Sequence, residues 1–134
     1  MNDILTFLMF SGEQHGQAKA AIDFYVSLFP ESHVERIDFY GPNESQPEGT
    51  VKVAAFTLKG RRFMAIDSAF PHSFNFTPSI SLFVECDTEE EITLLYDALL
   101  EGGSALMPLG DYGFSRRFGW LNDRFGVSWQ INLA

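Results

Sequence analysis

A chain of 134 residues fits one domain, or two half-modules sharing a core, and folding at this size buries about 68–70% of the unfolded surface, so no disulfide staples are required. A net charge of −9 and a pI near 4.6 argue against a nucleic-acid partner and disfavour an anionic membrane, because both draw their affinity from Lys and Arg. Fourteen Phe, four Tyr and two Trp are more ring volume than a thin core uses, which points to rings lining a cavity.

Residues 4–10, ILTFLMF, form a short apolar run stopped by Ser11-Gly12 and read as a buried strand. The run follows Asp3 and has neither a basic region nor a small-residue cleavage pattern, so no signal peptide is expected, and no stretch reaches transmembrane length. Next, Ala21, Ile22, Tyr25 and Phe29 recur at helical spacing opposite Lys19, Asp23 and Ser27, with Pro30 just beyond. That spacing predicts a helix over about residues 16–29. Strands are predicted at 33–40, 50–58 and 61–68, the last two joined by the Lys59-Gly60 turn.

After the aromatic loop FPHSFNFTP, Ile80, Leu82 and Val84 alternate with Ser81, Phe83 and Glu85, the pattern of a fifth strand. Thr88 and Glu91 make a capping box, and Ile92, Leu95, Tyr96 and Leu99 form the apolar stripe of a helix that ends at Gly102-Gly103. Strands at 104–108, 115–122 and 127–133 follow, the last two joined by a hairpin turn at Asp123-Arg124-Phe125-Gly126. The order βαβββ thus occurs twice inside a single domain, with module one at about residues 1–77 and module two at about 78–134. Corresponding elements lie about 72–75 positions apart.

Three segments carry a resemblance, in this order: AIDFYVSLFPES, GTVKVAAFTLKGRRFMAID and GWLNDRFGVSWQI. On these residues the chain resembles the PhnB-like branch of the vicinal oxygen chelate superfamily, the group of glyoxalase I, bleomycin-resistance proteins and extradiol dioxygenases. The resemblance spans nearly the whole chain. It implies an α+β fold of two βαβββ modules, whose curled mixed sheets surround a cavity, and a homodimer. Sequences of that branch often carry the label of a ubiquinone-pathway methyltransferase. No glycine-rich loop after a parallel strand is read here that could cradle a methyl donor, so that activity is not expected.

Catalytic superfamily members hold a divalent metal with His, Glu or Gln side chains. The resemblance puts Gln130 where a metal-binding Glu commonly sits, and Leu5 and Ser79 on or near the first-strand His positions. Leucine has no lone pair and a serine hydroxyl is a poor ligand, while Asp67 adds one further oxygen, short of three protein ligands. A metal-free cavity without a cofactor is the expectation.

Strand parity then nominates a lining. Gln130 shares a face with Ser128 and Asn132, while Trp129, Ile131 and Leu133 take the other, towards the helices. The same argument selects Leu5, Phe7 and Met9 on the first strand and Phe63, Ala65 and Asp67 on the fourth. It adds Ser79, Ser81 and Phe83 on the fifth, and Phe118 and Trp120 on the seventh. An apolar, ring-rich wall with a few polar points is the usual make-up of a small-molecule site. The alternative is that these rings fill a tight core.

Other chemistry is weaker. Cys86 precedes a helix but shares the face of Ile80, Leu82 and Val84, as a packed thiol would. His15, His33 and His72 lack the i, i+4 spacing of a metal pair and are expected to be exposed or locally bonded. Arg61, Arg62, Arg116 and Arg117 suit a phosphonate or carboxylate on a ligand, or are ordinary surface charge. Glu89, Glu90 and Glu91 meet the positive end of a helix macrodipole.

The expected function is therefore metal-independent binding of a small-molecule ligand by a cytoplasmic homodimer with no nucleic-acid or membrane partner. The alternatives are a metal-dependent lyase, isomerase or dioxygenase using Asp67 and Gln130, and a dimeric interaction module with a vestigial cavity.

Overall fold

The computed structural model describes residues 1–134, which divide into two compact units, Met1–Asn75 and Phe76–Ala134. Unit 1 runs β1 (Thr6–Phe10), α1 (Ala18–Leu28), β2 (His33–Phe39), β3 (Val51–Leu58) and β4 (Arg61–Asp67). Its sheet has the order β1-β4-β3-β2, with β1 parallel to β4 and the other pairs antiparallel. The first strand starts two residues later than the apolar run suggests, because Ile4 is 87% exposed and has no neighbour to pair with. A 3-10 turn, Gly12–Gln14, leads into α1.

Helix α1 buries Ala21, Ile22 and Tyr25 of the predicted stripe together with Ala18, and stops where Phe29, the stripe's last member, turns extended and half-buried ahead of Pro30. This stripe covers the sheet face that carries Leu8, Phe10, Ala54, Phe56, Phe63 and Ala65, all buried. Phe56 and Phe63 stack there with ring centroids 5.4 Å apart. The reversal between β3 and β4 uses positive φ at both Lys59 (49°) and Gly60 (74°), the geometry of a two-residue hairpin turn.

Unit 2 repeats the order with β5 (Leu82–Cys86), α2 (Glu89–Leu100), β6 (Ser104–Gly110), β7 (Arg117–Asn122) and β8 (Ser128–Leu133). The sheet order is β5-β8-β7-β6, with β5 parallel to β8. The two units make this an α+β protein of two βαβββ modules, each a four-stranded mixed sheet with one helix against it.

Local chemistry holds unit 2 in register. Thr88 Oγ1 accepts from Glu91 N at 3.1 Å, and Glu91 Oε1 accepts from Asp87 N at 2.7 Å, so the box closes one residue ahead of the helix cap. Gly119 lies flat against Tyr96 of α2; a Cβ there would overlap the Tyr96 ring. The β7–β8 turn is built on buried Asp123, whose Oδ1 accepts from Phe125 N (2.8 Å) and Val127 N (3.1 Å). Its Oδ2 accepts from the Trp129 indole at 2.9 Å. That one carboxylate gives a physical reason for the spacing of Asp, Gly and Trp in NDRFGVSW.

Candidate functional site

Gly119, Leu121, Trp129, Ile131 and Leu133 share the β7–β8 face that meets α2, which leaves Gln130 on the opposite face. There the cross-strand register sets Gln130 between Phe83 on β5 and Trp120 on β7. Phe83 is 55% exposed, and Gln130 and Trp120 are half-buried.

A short hydrogen-bond chain borders them. The Trp120 indole donates to Ser128 Oγ at 2.9 Å, and Ser128 Oγ lies 2.7 Å from Ser81 Oγ. Further along the face Asn132 Nδ2 donates to Glu85 Oε1 at 3.1 Å, while Asn132 Oδ1 is buried without a partner. None of these bonds engages the Gln130 amide. Phe118 packs against Phe114 and Tyr112 on the same side, with ring centroids 5.1 and 6.3 Å away.

Of the residues nominated from this half, Ser81, Phe83, Phe118, Trp120 and Gln130 gather on one face. Ser79 does not join them: it is exposed in the turn before β5 and bonds Thr77 Oγ1 at 2.6 Å. The strand begins at Leu82 rather than near residue 80, since Ile80 is 76% exposed and unpaired.

In unit 1 the parity expected for the fourth strand is wrong by one residue. The register pairs Phe7 with Met64 and Met9 with Ile66, whereas Phe63, Ala65 and Asp67 pair with Thr6, Leu8 and Phe10 on the α1 side. Phe7, 51% exposed, and half-buried Met9 therefore share a face with Met64 and Ile66, and Leu5 lies in the segment before β1. Phe63 is core. Asp67, 1% exposed, is an internal cap: Oδ1 accepts from Gly16 N (2.9 Å) and Ala18 N (3.1 Å), and Oδ2 from Val51 N (2.8 Å).

This geometry tests the metal that the sequence resemblance brings with it. Asp67 is committed to three backbone donors behind the sheet, so Gln130 stands without the further oxygen ligand, and a single neutral amide does not hold a divalent ion. No three His, Cys, Asp or Glu side chains converge. The residues present do not fit such an ion.

Unit 1 also contains a cleft of about 680 Å³ that periodicity alone did not disclose. It lies where the chain leaves β1 and β4, and it brings together His15 and His72, which the sequence places far apart. His72 Nε2 is 3.1 Å from Ser68 Oγ, and its ring lies 5.1 Å from that of Phe74. The only signal in the sequence is the density of rings in FPHSFNF.

The two βαβββ modules give this α+β protein a glyoxalase-like fold. The family model described as 3-demethylubiquinone-9 3-methyltransferase matches residues 2–132, and the chain belongs to that family. The chain is 52% identical to a putative 3-demethylubiquinone-9 3-methyltransferase, PhnB protein, from Bacillus cereus, with a TM-score of 0.94 over 99% of this chain and 100% of that one. The fold is shared with a glyoxalase-related enzyme from Fulvimarina pelagi (17% identity, TM-score 0.58, 100% of this chain and 89% of that one). It is shared also with the fosfomycin resistance protein FosX from Listeria monocytogenes (10% identity, TM-score 0.62, 100% and 95%). No curated protein matches the chain.

The family description brings in a methyl donor, and here one expectation needs correcting. A glycine-bearing turn does follow a parallel strand: β1 leads into Gly12 (φ 58°) and Gly16 (φ 89°) before α1. Its inward amides, Gly16 N and Ala18 N, are already taken by Asp67. With those two amides taken, the start of α1 offers neither of them to a donor's carboxylate or phosphate, so it does not fit the cofactor.

Proposed function

We propose that this PhnB-like protein is a metal-independent small-molecule binding protein of the vicinal oxygen chelate type, acting as a cytoplasmic homodimer. The observation that carries the reading is the Gln130 amide, held between Phe83 and Trp120 on the face away from α2 while the neighbouring polar groups bond one another. Two rings supply apolar contact, and one amide supplies a donor and an acceptor to orient a ligand.

A thermal-shift screen of aromatic and amphipathic metabolites, run with and without a chelator, tests this. A ligand should raise Tm equally in both arms, and Gln130→Ala should weaken its binding about tenfold while leaving the unliganded Tm within a few degrees. Stabilisation that vanishes on chelation, or that survives Gln130→Ala unchanged, overturns the proposal.

A further inference from the structure

We infer that the cleft of unit 1 is a binding site for a small organic ammonium, chemically distinct from the open face around Gln130. Strands β1 and β4 are parallel, with Phe10 opposite Asp67, so the chain leaves both at the same end of the sheet. The Ser68 N–H donates to Phe10 O at 2.9 Å and holds the two departing segments together. Crevices beyond the carboxyl ends of parallel strands are where open sheets commonly take ligands.

The lining selects the charge of the occupant. It includes Glu13 and no Lys or Arg, in a chain of net charge −9, so an anion meets no fixed counter-charge while a cation does. Beside Ala69 and Pro71, the apolar part of the wall carries two aromatic rings, Phe70 and Phe74. Phe70 and Phe74 are 55% and 62% exposed, and the His72 ring tilts 33° against Phe74, which offers ring faces of the kind that attract a cation.

The polar atoms suit a donor. His15 Nε2 is buried in this wall without a hydrogen-bond partner, an arrangement that needs an explanation, and an imidazole nitrogen without a proton accepts. Ammonium N–H groups only donate, and the Glu13 carboxylate and the Ser68 hydroxyl oxygen accept, as does His15 Nε2 in the tautomer whose proton sits on Nδ1. At about 680 Å³ the space is of the size that holds a one-ring molecule.

The test uses 2-phenylethylammonium, with 2-phenylethanol and 3-phenylpropionate as neutral and anionic counterparts, followed by calorimetry and by NMR of the His15 and His72 imidazoles. The ammonium should saturate at millimolar concentration, shift both imidazoles, and bind at least about tenfold more tightly than the alcohol. Glu13→Gln should abolish that preference, and Phe74→Ala should weaken the ammonium several-fold. Both side chains are exposed, and an unchanged Tm confirms that each variant is folded. Equal binding of the alcohol, preference for the carboxylate, an unaffected Glu13→Gln variant, or no saturation below about 10 mM each overturns the inference.

Discussion

A carboxylate sunk to 1% exposure persists only if its lone pairs are filled, and Asp67 fills them with three backbone amides. Asp67→Ala leaves those donors unsatisfied and should cost about 3 kcal/mol in urea denaturation, with Asp67→Asn in between; a loss below about 1 kcal/mol would contradict the cap. Cys86 is the opposite case. Burial first, then the charges of Glu91, Asp87 and Glu85, push its thiol from 9.0 up to about 11. The folded chain therefore holds this proton where the unfolded chain releases it. The stability contributed by Cys86 is complete below about pH 9 and declines as pH rises towards 11. Iodoacetamide at pH 8 should alkylate the native thiol about 100-fold more slowly than the urea-unfolded one. Gln130 was legible in the sequence because polar and apolar residues alternate strictly around it. Asp67 was not, because Phe63, Met64, Ala65 and Ile66 are apolar on both faces and only the partner strand's register decides which way each points.

Among the elements, α2 could be read almost entirely from its own residues, since Thr88, Glu91 and the stripe through Leu99 are local signals. Helix α1 could not, for Gln17 at its start makes no side-chain cap and the capping oxygen arrives from β4. The late start of β5 at Leu82 is set by pairing across the sheet, not by local pattern, and the turn Gly12–Gln14, closed by its own backbone bonds from Gln14 N to Ser11 O and His15 N to Gly12 O, is too short to show an apolar period. The α2–β7 packing makes its own prediction. Gly119→Ala forces a methyl into the Tyr96 ring and should destabilise unit 2 by about 1–3 kcal/mol. Pairing it with Tyr96→Leu should recover part of the loss, read as a non-additive double-mutant cycle; strict additivity would show that the ring is not what the methyl meets.

For the whole molecule, each sheet ends in two strands unpaired on one side within their own unit, β1 and β2 in the first and β5 and β6 in the second. Open edges of this kind need covering, which fits the homodimer proposed above. Light scattering after size exclusion should give about twice 15.1 kDa, and a mass of 15.1 kDa at micromolar concentration would rule the dimer out. The Asp123 turn has a wider consequence. By clamping the Trp129 indole and two turn amides, it prevents β8 from sliding one position along β7, the one displacement that would bury Gln130 and expose Trp129. Scaffold and lining are thereby decoupled: positions 83, 120 and 130 can diversify among descendants of this chain, trading one specificity for another, while the frame beneath them stays constant.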